Sequence, residues 1–173
     1  MTQQTDIYEN EREKLRKLQL VFEKAVAENS IEDIRPFTDP EFTFVSFTDR
    51  EFKDFDAFKK QWDITREKMV GSGRFSTQLN PQPTIFLEDI AIASGNAINS
   101  MVDNKGQQYD FNNHWTVIFK RINDEWKVLR AHNSLDPFAN PMLVHGVKRK
   151  LINFSLLAFI SGALLSSILS YFI

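Results

Sequence analysis

Three long segments rich in β-branched and aromatic residues dominate the second half of the chain, at 89–102, 107–121 and 125–134. Two turn signals separate them, Asp103-Asn104-Lys105-Gly106 and Asn123-Asp124. Such runs read as strands, and turns this short force consecutive strands to pair antiparallel. A chain carrying them must build a sheet and cover one of its faces. The first half supplies the cover. Over 7–28, Leu15, Leu18, Phe22, Ala25 and Val26 recur at helical spacing among charged neighbours, which predicts an amphipathic helix with one buried stripe. Asn29-Ser30 punctuates it. Ser30 with Asp33 three residues on resembles the capping pattern of a short second helix, which Pro36 and Pro40 limit. Residues 42–47 read as a strand. A further helix opens at Asp54 or Asp56, presents Phe55, Phe58, Trp62, Thr65 and Met69, and stops at Gly71-Ser72-Gly73. Short strands at 74–79 and 84–87 flank the Asn80-Pro81-Gln82-Pro83 break. This order predicts an α+β domain over 7–136, a curved and mostly antiparallel sheet packed on N-terminal helices.

The last 23 residues, 151–173, contain no charge and follow Lys148, Arg149 and Lys150. As a helix they reach roughly 34 Å, enough for a hydrocarbon core of about 30 Å. They are expected to form a transmembrane tail anchor, joined to the domain by a linker over 137–150. The basic cluster places the domain on the cytoplasmic side. The N-terminus lacks the apolar core of a signal peptide. Net charge is −2, and the domain is more acidic still once the basic cluster is set aside. No nucleic-acid surface is expected from such a balance. The chain has no cysteine, three scattered histidines and no glycine-rich phosphate loop, so neither a metal nor a cofactor is expected.

Ladder arithmetic sorts the strand residues. A two-residue turn at Asn123-Asp124 sets Phe119 opposite Val128, Val117 opposite Arg130 and Trp115 opposite His132. A turn centred on Asn104-Lys105 sets Ile92 opposite Val117, Ser94 opposite Trp115, Asn96 opposite Asn113 and Ile98 opposite Phe111. Opposed residues share a face. Ser94, Asn96, Tyr109, Asn113, Trp115, Arg130 and His132 then fall on the concave face, with Trp62 above them on its helix. Ala91, Ala93, Ala97, His114, Ile118, Leu129 and Ala131 fall on the convex face. A bulge in any of these strands would flip what lies beyond it.

The stretch His114-Trp115-Thr116-Val117-Ile118-Phe119-Lys120-Arg121, a tight turn, and Trp126-Lys127-Val128-Leu129-Arg130-Ala131-His132-Asn133-Ser134 resembles the final hairpin of SnoaL-like domains of the nuclear transport factor 2-like superfamily. The tryptophan opening the last strand and the His-x-Ser ending it carry the match. The resemblance implies a conical α+β barrel with a pocket between helices and sheet, and frequent dimerisation through the sheet. Its members include isomerases, cyclases, hydrolases and noncatalytic binding domains.

His132 is the candidate for proton transfer, because imidazole titrates at about pH 6.5; it could equally close the barrel end by bonding a backbone carbonyl. Arg130 could hold an anionic group, or pair with an acid such as Glu23 or Asp63 on the helices. Asn96 and Asn113 could meet a ligand carbonyl or each other. Tyr109, Trp115 and Trp62 frame the pocket. The concave strands offer no carboxylate for a ketosteroid-type base. The leading expectation is a membrane-tethered homodimer that binds or assembles, with a pocket for a small apolar or anionic ligand. The alternative is an enzyme on a lipophilic substrate with His132 as acid and base. The small apolar convex face, and Ala158, Gly162, Ser166 and Ser170 along one stripe of the anchor, both favour a dimer.

Overall fold

Helix α1 spans Glu9–Glu28 and buries Leu15, Ala25 and Val26, with Leu18 and Phe22 packed beside them. It ends where Asn29 turns left-handed at φ 56°, so that the Ser30 N–H reaches the Ala25 carbonyl at 2.8 Å. A 3₁₀ turn over Ile31–Phe37 follows. The expected Ser30 side-chain cap does not form. Its hydroxyl is buried without a partner, and the Asp33 N–H goes to the Ser30 backbone carbonyl instead. Strand β1 covers Thr38–Val45, earlier than the expected 42–47, because Thr38 already pairs with Val128. Strand β2 is Glu51–Phe52. Helix α2, Phe55–Met69, opens as expected at Asp54, whose Oδ1 accepts from the Ala57 N–H at 2.7 Å.

The remaining strands are β3 Arg74–Pro81, β4 Ile85–Leu87, β5 Ile90–Val102, β6 Gln108–Ile122 and β7 Glu125–Ser134. They form a sheet of order β2-β1-β7-β6-β5-β3, with β4 continuing the β3 edge along β5. The β1–β7 pair is parallel and the others are antiparallel. This is the expected α+β architecture with one difference: the sheet curves without closing, so β2 and β3 are edges rather than neighbours in a barrel. The exposed β3 backbone is partly covered by α1. The Leu79 N–H donates to Glu23 Oε1 at 2.7 Å, and Gln19 Nε2 donates to the Leu79 carbonyl at 2.9 Å.

This computed structural model describes residues 8–136. The linker, the basic cluster and the expected span over 151–173 lie outside the described residues. Among the described residues no helix is long and apolar enough to cross a membrane.

Two local irregularities correct the expected register. The β6–β7 hairpin pairs as foreseen from Ile122–Glu125 to Phe119–Val128, but Ile118 then faces Arg130. Leu129 is an extra residue, a bulge that turns everything after it to the opposite face. His132 therefore pairs with Thr116, not Trp115. The β5–β6 loop is longer than expected. Asp103 Oδ1 accepts from the Lys105 and Gln107 N–H groups, and Asp103 pairs with Gln107 through its own N–H. This sets Val102 opposite Gln108 and moves β5 by one residue against β6, so that Ala93 faces Val117 and Gly95 faces Trp115.

The small residues of β5 consequently lie inside. Ala91, Ala93 and Ala97 are buried with Leu15, Trp115, Phe119 and Trp126. Their size lets α1 and the three large rings share one layer. At Gly95 a Cβ would stand 2.2 Å from the Asn80 carbonyl oxygen, so glycine lets β3 pass. A second cluster joins Ala25, Val26, Ile31, Phe42, Phe55 and Phe58. Phe58 is its hub, with ring centroids of Phe42, Phe44, Phe55 and Trp62 at 5.9, 4.8, 5.8 and 6.2 Å.

Candidate functional site

The concave face carries a buried polar pair between its two aromatic groups. Asn99 Nδ2 donates to Asn113 Oδ1 at 2.7 Å and to the Phe111 carbonyl at 3.2 Å, and Asn113 Nδ2 donates to the His114 carbonyl at 3.0 Å. Both asparagines are buried. Asn99 was not foreseen: the expected register put its neighbours Asn96 and Ile98 inside. Its signal was present in the residue pattern, since it is the polar member of an alternating row of small residues.

Above the pair, α2 presents Trp62, whose ring centroid lies 6.1 Å from Phe75. Phe75 in turn stacks on Phe111 at 6.5 Å. Trp62 Nε1 donates to Asn29 Oδ1 at 3.2 Å. Trp115 is buried and donates through Nε1 to the Asn96 carbonyl at 3.1 Å. Tyr109 is half-buried on the same face, opposite Met101. Of the residues expected to line the pocket, Tyr109, Asn113 and Trp115 thus share the concave face, with Trp62 over it.

The other three lie on the convex face. Asn96 is exposed opposite His114. Arg130 is exposed and pairs with Glu51 at 3.4 Å, not with Glu23 or Asp63. His132 is exposed between Thr116 and Val45. The Leu129 bulge and the shifted β5–β6 loop place them there. Asp110 is convex as expected, and hydrogen bonds from Ser100 and Gln108 hold its carboxyl below the usual range.

A separate cavity of 330 Å³ opens between Arg35, Asp39, Asp54, Phe55 and Asp56. Its charges are matched within the protein. Arg35 Nη2 holds Asp56 at 2.6 Å and, together with Nε, also engages Glu32, which raises the guanidinium pKa. Asp54 caps α2. Asp39 Oδ1 accepts from the Glu41 N–H at 2.7 Å, and its Oδ2 has the Lys120 ammonium at 3.8 Å. Among the described residues no cluster of His, Asp or Glu could hold a metal ion.

The convex face has its own apolar feature. Ile85, Ile92 and Ile118 stand opposite one another across β4, β5 and β6, and Leu87 and Ile90 form the adjacent row. Ile85 is 57% exposed and Leu87 56%. Lys120 and Arg130 flank them on the neighbouring positions. These residues replace the alanines expected to make this face apolar.

An open, curved sheet wrapped on N-terminal helices is the nuclear transport factor 2-like fold. A nuclear transport factor 2-like superfamily protein from Salmonella enterica has the same fold, with TM-score 0.63 at 13% identity over 71% of this chain and 89% of its own. So does a type 2 hexachlorocyclohexane dehydrochlorinase, with TM-score 0.66 at 10% identity over 73% and 86%. The association domain of Caenorhabditis elegans calcium/calmodulin dependent protein kinase II matches with TM-score 0.56 at 14% identity, over 72% and 95%. No curated protein matches the chain. Residues 11–137 match the calcium/calmodulin dependent protein kinase II association domain family, and the chain belongs to that family. The resemblance to SnoaL-like domains therefore holds at the level of the fold.

Proposed function

We propose that this protein is an assembly module, associating with copies of itself through the convex face of its sheet, with a ligand pocket in the hollow behind it. One observation carries the assembly reading. A domain of an association family leaves Ile85, Leu87, Ile90, Ile92 and Ile118 contiguous on a sheet face that no helix among the described residues covers. Burying apolar area contributes about 25 cal/mol per Å², so pairing of this patch between copies would favour association against its entropy cost, and the flanking Lys120 and Arg130 would set its orientation. The family name and the C. elegans neighbour support the reading. The uncharged run 151–173 after Lys148, Arg149 and Lys150 supports a membrane tether in addition. A tether would concentrate copies in two dimensions and favour their pairing.

Sedimentation equilibrium of the full chain, in a detergent matched for density, tests the assembly. Wild type should be at least dimeric, and Ile85→Asp with Ile118→Asp should shift it to monomer without loss of helical circular dichroism. A monomeric wild type sinks the assembly reading. Flotation with liposomes tests the tether, which is lost if the full chain stays at the bottom of the gradient.

A further inference from the structure

We propose that His114 and His132 form half of a Zn²⁺ site on the convex face, completed by the same two residues of a second copy. The proposal rests on the self-association reading and names an ion that the pairing holds. Both histidines are exposed, and neither ring makes a hydrogen bond or ion pair among the described residues. Register brings them together. Thr116 faces His132, and His114 faces Ser134, across the β6–β7 ladder, so the two histidines are diagonal corners of one square. Diagonal neighbours lie about 7–8 Å apart, with their Cβ atoms closer. Right-handed twist shortens the diagonal that joins the earlier residue of each strand, which is this one. Two imidazoles across that gap can meet one ion, since Zn–N bonds are about 2.0–2.1 Å. Arg130, two residues before His132, is taken up by Glu51 at 3.4 Å. One copy supplies only two donors, and no third His, Asp or Glu joins them among the described residues.

The layout of the convex face supplies the rest. The row of Ser94, Thr116 and His132 and the next row, of Asn80, Asn96 and His114, form a polar band. Ile92 and Ile118 stand in the row on one side of it, and Ile98, 49% exposed, in the row on the other. A two-fold axis lying between two such sheets, and crossing the strands along the middle of the band, lays Ile92 over the second copy's Ile98 and the reverse. Both apolar rows are thereby covered. The same operation brings the second copy's histidines over the other two corners of the square, above Thr116 and Ser134. Two imidazoles then rise along one diagonal and two descend along the other. That is a tetrahedron, the arrangement zinc takes. Sheets packed face to face lie about 10 Å apart, so side chains from the two meet midway. An ion held by donors from both chains must tighten their pairing, because it binds the pair and not the single copy.

The test is calorimetric titration of the full chain in detergent with zinc chloride, with magnesium chloride as the control. Zinc should bind at one ion per two chains, and magnesium, which prefers oxygen donors, should not bind at this site. His114→Ala and His132→Ala should each weaken zinc binding by about tenfold or more, whereas His145→Ala should not. Zinc affinity should fall as the pH drops from about 7.5 to about 5.5, because protons compete for the imidazoles. In sedimentation, zinc should strengthen association and EDTA should reverse the effect. Wild type that associates yet binds no zinc overturns the site and leaves the assembly reading standing. Zinc bound at one ion per chain, bound equally after both histidines are changed to alanine, or bound without any effect on association also overturns it. A wild type that stays monomeric with and without zinc removes the assembly reading and the shared site together.

Discussion

Trp126 Nε1 donates to Glu11 Oε2 at 2.6 Å, tying the first turn of α1 to the start of the last strand across 115 residues. The bond satisfies an indole that is only 3% exposed, and it sets the angle at which α1 crosses the sheet. Lys14 Nζ holds the other carboxylate oxygen at 3.0 Å, and the Arg121 guanidinium lies over the Trp126 ring at 5.2 Å. Glu11→Leu strands the buried indole N–H. It should cost about 1–3 kcal/mol of unfolding free energy, read from urea denaturation of the full chain.

The same contact predicts an acid dependence. Burial pushes the Glu11 carboxyl up, but hydrogen bonds from Lys14 and Trp126, with the charges of Lys14 and Arg121, outweigh it and hold the carboxyl below its ordinary value of 4.5. A group whose pKa is lowered on folding binds more protons unfolded. Its contribution is therefore present in full above the ordinary value and is lost as pH falls through the lowered folded value. Trp126→Phe removes one of the lowering bonds, so stability should fall less steeply than in wild type as the solution is acidified below 4.5. Equal slopes in the two proteins would show that the bond does not shift the carboxyl.

The Asn99–Asn113 pair should be coupled. Asn99→Ala leaves the Asn113 Oδ1 atom without its donor in a buried site and should cost about 1–3 kcal/mol. Replacing both residues should cost less than the sum of the single changes, with a coupling of about 0.5 kcal/mol or more. Strict additivity would mean that the two side chains do not depend on each other.

The Leu129 bulge separates two residues that an unbroken ladder would place together. Trp115→Ala empties a core site and should destabilise by about 3–5 kcal/mol. His132→Ala, on the convex face, should stay within about 0.5 kcal/mol of wild type. A large loss for His132→Ala would place the imidazole in the core and contradict the bulge.

The convex patch should respond to charge. Leu87→Asp is exposed enough to leave folding intact, yet it would bring like charges together in a self-complementary interface. We expect association to weaken by about tenfold or more, equivalent to about 1.4 kcal/mol, in sedimentation of the full chain. The same substitution at exposed Leu20 on α1, outside the sheet, is the control and should leave association unchanged.

What the sequence by itself determined is what depends on near neighbours. The stripes of α1 and α2 follow from helical spacing, and the Asp54 cap from one side chain and the N–H three residues on. The last hairpin follows from Asn123 and Asp124, which take the left-handed φ values of 49° and 62° that a two-residue turn of this kind needs. The pairing from Ile122–Glu125 to Phe119–Val128 was therefore legible. Only the tertiary structure decided what came next. Leu129 bulges where β7 must pair on one edge with β6 and on the other with parallel β1, whose own register shifts between Thr38 and Thr43. No local preference at Leu129 records that double constraint. Asp103 lengthened the other loop by one residue through side-chain bonds to Lys105 and Gln107, which reversed the faces of β5. Because strand side chains alternate with a period of two, each single-residue change sent a whole row to the other side. Asn96, Arg130 and His132 left the hollow by that route, and Asn99 entered it.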